Sequence, residues 1–366
     1  MDAPRIVALG TATPPHRYRQ SELLAYARTV YRSPAVQRRL ARFFDESIDE
    51  RALAIADLAA FTADETPGER NRRYREWAVR LGAEAARQCL DRAGVAIDAV
   101  DCIVATSCTG YTCPGLDTRI IEALGFRGGQ IERANLLGMG CASAVSALQR
   151  GADFVRAHPG SRALVVATEV CSATYHLDER DLGTVVGNAI FADGAAAALL
   201  ADRGPGIALR AFASDVRPEY RDIMGYDNEN PEGLLKLYLV REVPFVAGDM
   251  VRGVVGRLLA RAGLAPDEVA AWMIHAGGRR VIDVAQKGLG LSDDQVRMSR
   301  EVLRKNGNLS SATILFVLEE TLARRPPPPG AHGILVAVGP GFSAEGAWLG
   351  FPERASGSTS PENGKA

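Results

Sequence analysis

Apolar positions along the chain follow two rhythms. In NRRYREWAVRLGAEAARQCLDRA, residues 71–93, Trp77, Leu81, Ala85 and Cys89 recur every four positions and Gly94 follows, which predicts an amphipathic helix with a glycine stop. Short unbroken apolar runs rich in β-branched residues predict buried strands: VDCIVATSC at 100–108, RANLLGMG at 133–140 and RALVVATEV at 162–170. Between them, PGLDTRIIEALGF at 114–126 predicts a short helix with proline near its start. Residues 142–158 predict a helix closed by Pro159-Gly160. VVGNAIFADGAAAALLAD at 185–202 reads as a strand, a tight turn around Asp193-Gly194, and a strand.

Gly204-Pro205-Gly206 breaks the chain, and the alternation then resumes. A helical stretch is predicted near 235–263, a strand over VAAWMIHAGG at 269–278 with a helix after it, and another helix after Asn308. The last strands fall in GILVAVGPGFSAEGAWLGF at 333–351. Both halves alternate strand with helix, so the fold class is α/β, read as a duplicated unit with buried sheets: residues 1–203 and 204–353. No repeated motif is visible between the halves. The polar segment RASGSTSPENGKA, within 354–366, predicts a disordered tail.

Composition narrows the function classes. The chain has 366 residues, 47% apolar and 24% charged, with formal net charge −1. That balance gives no electrostatic reason to expect nucleic acid or an anionic membrane as partner. No apolar run has the length of a membrane span, and the first residues, MDAPRIVALGTATPPHRYRQ, read as a strand and turn. Six cysteines at 89, 102, 108, 113, 141 and 171 form neither a C-x-x-C pair nor a disulfide-like framework, which suits a reduced, cytoplasmic setting. Neither they nor the five histidines have metal-site spacing, and no metal or redox cofactor is expected.

Candidate chemistry begins in NLLGMGCASAVSALQRGADFV, residues 135–155, where one thiol, Cys141, stands between a strand and a helix of small residues. A thiol in a helix's first turn faces unpaired N–H groups and the positive end of the macrodipole, both of which favour thiolate. Its plain alternative is a buried, inert cysteine. His275 ends the strand VAAWMIHAGG, where a hydrogen-bonded core histidine is the common reading. Asn308, in KNGNLSSATILF, suits a helix cap or turn. Together the three make a nucleophile, a base and a hydrogen-bond donor.

The GC before a small-residue helix, HAGG, GNLSSA and the terminal GPGF, in this order and at these separations, resemble the type III polyketide synthases, the chalcone- and stilbene-synthase-like enzymes of the thiolase fold. The likeness runs from about Ile6 to Phe351, and the TATPPHR start resembles bacterial members. It implies a five-layered αβαβα arrangement of the two halves and a triad of Cys141, His275 and Asn308. In that chemistry Cys141, as a thiolate paired with His275, takes an acyl group from a CoA starter. Malonyl-CoA then loses CO₂, and His275 and Asn308 donate hydrogen bonds to the enolate. CoA thioesters are substrates, no further cofactor is needed, and a homodimer is expected.

Other positions carry over one by one. Phe191 matches a phenylalanine between the CoA tunnel and the cavity, and Leu237 replaces a second one. Cys108, Cys171 and Thr174 stand where cavity threonines are common, and Cys113 where a residue reaches into the partner subunit's site. Thr109, Gly187, Ser310 and the Gly339-Pro340-Gly341 loop are expected beside the substrate. For CoA, the resemblance implies Arg39, Arg42, Gly277, Gly278 and Arg280, although Glu46 occupies the place of a usual lysine. Thiols in place of hydroxyls make the pocket less polar, so a fatty-acyl starter is expected, followed by cyclisation to a pyrone, resorcinol or related polyphenol. Two alternatives remain open at this point: a single-condensation ketoacyl-carrier-protein synthase and a silent acyl-binding subunit.

Overall fold

The structure is a computed structural model that describes residues 3–353 apart from 60, 62–64, 178–181, 228, 230–232 and 234. The expected tail at 354–366 lies outside the described residues. The chain opens with β1 (Arg5–Ala12), β2 (Arg17–Arg19), α1 (Gln20–Val30), α2 (Pro34–Phe43), β3 (Glu50–Ala52) and the long α3 (Pro67–Ala93). There follow β4 (Cys102–Thr106), α4 (Leu116–Ala123), β5 (Glu132–Leu136), α5 (Ser143–Ala157), β6 (Arg162–Val170), α6 (Leu182–Ile190) and β7 (Asp193–Ala201). The second half contains β8 (Ile207–Val216), β9 (Met224–Asp227), β10 (Lys236–Leu239), α7 (Val243–Ala262), β11 (Val269–Ile274) and α8 (Arg279–Leu289). It ends with α9 (Arg297–Asn306), α10 (Thr313–Arg324), β12 (His332–Gly339) and β13 (Ser343–Gly350).

Nine of these strands form one sheet in the order β11-β12-β13-β8-β1-β7-β6-β4-β5. The pairing repeats. β1 runs antiparallel to β7, β7 antiparallel to β6, and β6 parallel to β4. In the same way β8 runs antiparallel to β13, β13 antiparallel to β12, and β12 parallel to β11. The two half-sheets meet at two residue pairs, Arg5 with Ala208 and Ile6 with Ile207.

Helices α5 and α10 pack against both half-sheets, α3 covers the outer face of the first, and α7 that of the second. The result is the five-layered thiolase-like arrangement. β7 shows why the centre packs closely: in DGAAAALLA every residue up to Leu200 is buried, and alanine side chains let helices approach. α3 has a complete start signal. The Thr66 hydroxyl accepts from the Glu69 N–H at 3.3 Å, the Glu69 carboxylate accepts from the Thr66 N–H at 2.8 Å, and Pro67 occupies the first turn. It stops at Gly94, whose φ is 65°.

Two stretches differ from the sequence reading. Within 185–202 the first segment is helix, not strand: α6 ends at Ile190 and β7 starts at Asp193. Its last carbonyls are bonded by Gln20, Arg51 and the Asn308 N–H, partners too remote for any local pattern to reveal. Within 235–263, residues 236–239 pair with β9, and α7 begins only at Val243, with Pro244 in its first turn.

Candidate active site

Four chain segments meet at the C-terminal ends of β6, β11 and β12. After β5 the chain makes a 3-10 turn over Gly140–Ala142 that runs directly into α5 and buries Cys141, whose exposure is 7%. Ser143 Oγ donates to Gly140 O at 2.7 Å and fastens this turn. The loop after β12 clamps it from above. A Cβ on Gly339 would lie 2.3 Å from Met139 O, and one on Gly140 would lie 2.4 Å from Pro340 Cδ, so both positions need glycine for close approach.

Asn308 occupies the equivalent place in the second half, before the 3-10 turn Ser310–Ala312 that leads into α10. Its Oδ1 accepts from Ser310 N at 2.9 Å and from Thr313 Oγ1 at 3.2 Å. Those two donors orient the amide, leaving Nδ2 to donate to Gly277 O at 3.2 Å. The Cys141 thiol is hydrogen-bonded to the Asn308 side chain, and its Sγ lies 3.5 Å from Ser310 Oγ.

His275 follows β11. Its N–H donates to Val336 O of β12 at 2.9 Å, its ring edge lies against Gly277, and its Nδ1 has no partner among the described residues. The backbone of the HAGG segment therefore carries the imidazole and accepts the Asn308 amide within three residues.

Burial opposes charge on both reactive groups. It pushes the Cys141 thiol up to about 12; hydrogen bonds from Ser310 and Asn308 pull it down, and the Glu169 carboxyl adds to the rise. Burial alone holds His275 down to about 4. These shifts oppose the standing ion pair that the resemblance implies. They favour a neutral thiol and a neutral imidazole in the resting enzyme.

Sequence reasoning missed two residues here. Glu169, near the end of β6, is fully buried and accepts from Cys108 N at 3.0 Å, Thr109 Oγ1 at 2.9 Å and Ser107 Oγ at 3.3 Å. It also accepts from Ser310 Oγ at 3.4 Å and from Ser311 Oγ. Burial raises its pKa while these donors lower it. Tyr226, on β9, is the second. Its hydroxyl is 3.4 Å from Thr174 Oγ1, and burial, with smaller effects of Cys108 and Cys171, raises its pKa. The first residue sits in an apolar strand and the second in a short one, with no local motif to mark either.

The remaining expected residues separate into groups. Cys108 Sγ lies 3.3 Å from the same Ser310 hydroxyl that meets Cys141. Thr174 bonds the Cys171 carbonyl, and Cys171 is fully buried beside it. Leu237 rests on Gly187, where a Cβ would meet its Cδ2 at 2.2 Å, and Phe191 adjoins both. Thr109 turns toward Glu169 and also accepts from Val170 N at 2.9 Å. Gly341 joins Phe342 through a cis peptide in the clamp loop. Cys113 is exposed, as are Tyr111 and Leu137, and β5 is an edge strand of the sheet.

Arg39, Arg42 and Arg280 are exposed and form no ion pair among the described residues. The neighbouring Arg279 pairs with Asp45 at 3.3 Å, tying the start of α8 to the segment after α2. Gly278 precedes α8, whereas Gly277 serves Asn308. No cluster of three or more potential metal ligands, and no helix long and apolar enough to cross a membrane, occurs among the described residues.

A buried thiol, an imidazole and an oriented amide donor are the equipment for acyl transfer with stabilisation of a developing oxyanion. Residues 2–204 match the family of chalcone and stilbene synthases, N-terminal domain, and residues 223–350 match the C-terminal domain. The chain is 36% identical to a 3,5-dihydroxyphenylacetyl-CoA synthase of Streptomyces toyocaensis, over 94% of this chain and 89% of that one. It is 32% identical to a 1,3,6,8-tetrahydroxynaphthalene synthase of Streptomyces peucetius subsp. caesius, over 93% and 91%. The crystal structure of the 1,3,6,8-tetrahydroxynaphthalene synthase of Streptomyces coelicolor A3(2) superposes with TM-score 0.89 at 27% identity, covering 96% of this chain and 100% of that one. The chain belongs to the chalcone and stilbene synthase family and is a type III polyketide synthase, an acyl-transferring enzyme of iterative condensation.

Proposed function

We propose that Cys141 is the acyl carrier, that His275 and Asn308 serve the enolate, and that malonyl-CoA supplies both starter and extender units. His275 takes the thiol proton as Cys141 sulfur attacks the starter thioester, and returns it to the departing CoA thiolate. A second malonyl-CoA loses CO₂. The electron pair released moves onto the thioester oxygen, where Asn308 Nδ2 and the imidazole N–H donate. The enolate carbon then forms a C–C bond to the acyl carbon, the C–S bond to Cys141 breaks, and the lengthened chain, now on CoA, is reloaded.

One observation carries the choice of starter. Leu237 and Tyr226 are direct cross-strand partners on β10 and β9, so their side chains share a face. Leu237 fills the space over Gly187, and Tyr226 reaches Thr174. Two bulky side chains thus close the wall that a long acyl chain would have to pass. The similarity to synthases of 3,5-dihydroxyphenylacetyl-CoA and 1,3,6,8-tetrahydroxynaphthalene supports the same reading, since hydroxyls on alternate carbons are what head-to-tail two-carbon units leave. The fatty-acyl reading keeps one support, the thiol-rich lining of Cys108 and Cys171.

Mass spectrometry of products separates the two. Malonyl-CoA alone should yield an aromatic polyol, and C8–C16 acyl-CoAs should add little. Tyr226→Gly should open the wall and raise use of long acyl-CoAs by about tenfold or more, the scale on which pocket volume discriminates. A wild-type enzyme that prefers the long acyl-CoAs would overturn the malonyl starter. In the same assay Arg39→Glu with Arg42→Glu should raise KM for malonyl-CoA and leave kcat unchanged, if these exposed cations meet the CoA phosphates. The exposed face of Cys113, Tyr111 (65%) and Leu137 (52%) supports a homodimer through the β5 edge, and a monomer in sedimentation would remove that reading.

A further inference from the structure

The four carbonyls that close α6 all find partners from other parts of the chain. Asn188 O accepts from Arg51 Nη1 at 2.9 Å, and Ala189 O from Gln20 Nε2 at 2.9 Å. Ile190 O accepts from the Asn308 N–H at 2.8 Å. Phe191 O accepts from Arg51 Nη1 and from the Tyr175 hydroxyl, each at 2.5 Å. A helix end normally leaves such carbonyls to water or to a local cap. Here one fully buried guanidinium serves two of the four, and it forms no ion pair among the described residues.

Arg51 is held through two of its three nitrogens, its Nη2 being buried without a hydrogen-bond partner among the described residues. Its Nε donates to Gln20 Oε1 at 3.1 Å and its Nη1 to Tyr175 Oη at 3.0 Å, with the Phe44 ring 5.8 Å from its Cζ. Gly307, the residue before Asn308, lies against its stem. A Cβ there would stand 2.8 Å from Arg51 Cδ and 2.8 Å from Ile190 O. Phe191 and Asn308 form a bridge, because Ala192 N also donates to Asn308 O at 2.8 Å. The end of α6, the gate residue Phe191 and the amide of Asn308 are therefore one backbone unit, and Arg51 is its fastening. A burial this costly for a lone cation would not be needed merely to fill space.

We infer that Arg51, with Gln20 and Tyr175, is a positioning residue that sets the Asn308 amide and the Phe191 ring from behind. The inference rests on the reading of Asn308 as the enolate donor. It requires Arg51 to act far more on decarboxylation and condensation than on Cys141, which feels Asn308 through one hydrogen bond and is fastened separately through Ser143 and the Gly339 loop.

The test measures malonyl-CoA decarboxylation and iodoacetamide alkylation of Cys141 in Arg51→Met, Arg51→Lys and Tyr175→Phe, with Asn308→Ala beside them. Arg51→Met should lower kcat for decarboxylation by about 10- to 100-fold, the cost of a small misplacement of a donor. KM and the alkylation rate should stay within about twofold of wild type. Arg51→Lys, which keeps the charge and one donor, should recover part of the loss. If Arg51→Met does not fold, Tyr175→Phe keeps the guanidinium and should still lower decarboxylation several-fold at an unchanged alkylation rate. Decarboxylation and alkylation falling together, or neither falling, overturns the inference. Full decarboxylation in Asn308→Ala would instead remove the reading of Asn308 itself. Loss in Asn308→Ala with none in Arg51→Met or Tyr175→Phe removes only the role of Arg51.

Discussion

Cys141→Ala is expected to abolish polyketide formation, a loss of about 10⁴-fold or more, while malonyl-CoA decarboxylation continues at a reduced rate. On the proposed function the growing chain is parked on this sulfur, and the nearby Cys108 thiol and Ser310 hydroxyl do not replace it. Alanine removes it without disturbing its surroundings: Asn308 keeps Gly277, Ser310 and Thr313, and Ser310 keeps Glu169. The donors for the enolate are thus intact, and CO₂ release needs only them. Liquid chromatography with mass spectrometry for product, alongside a CO₂ assay, separates the two activities. Polyketide from the variant would end the assignment of Cys141 as carrier.

Asn308→Asp should be more damaging to decarboxylation than Asn308→Ala, and should cost about 10²- to 10³-fold. One carboxylate oxygen would keep the bonds from Ser310 N and Thr313 Oγ1. The other would replace Nδ2, facing the Gly277 carbonyl and the place where negative charge develops. An acceptor would then stand where a donor is needed, and its charge would repel the enolate. Burial raises the pKa of such a carboxyl, so lowering the pH protonates it, restores an O–H donor and should return part of the rate. Steady-state decarboxylation by both variants across the acid range checks this. Equal losses in the two, with no acid recovery in Asn308→Asp, would remove the charge argument.

What the sequence disclosed is what local rules write. α3 carries its own capping box and glycine stop, and β6 its own apolar run, so both were legible. Cys141 stands out locally as a strand-to-helix junction with glycines, whereas His275 and Asn308 are singled out by the family resemblance that HAGG and GNLSSA carry. α6 was misread because its strand-like composition is overruled by carbonyl partners at Gln20, Arg51 and Asn308. Glu169 was invisible for the same reason: its donors span Ser107 to Ser311, and nothing beside it in the chain announces them. The thiolate expected at Cys141 rests on the helix terminus and on the resemblance, and the structure adds the opposing effect of full desolvation. The family assignment sets aside the carrier-protein synthase alternative, which shares fold and triad.

The strand ladder runs without a gap from one repeat into the other through Arg5–Ala208 and Ile6–Ile207, and α5 and α10 are wedged between the two. A molecule built this way cannot breathe by swinging its halves apart, so the vessel has fixed walls. On the proposed function, elongation then ends when the product fills the space. The length of what is made becomes a matter of side-chain bulk, measured off as on a ruler, and a change of a few atoms at the lining should alter the count of units added where a far larger change on the outer helices would not.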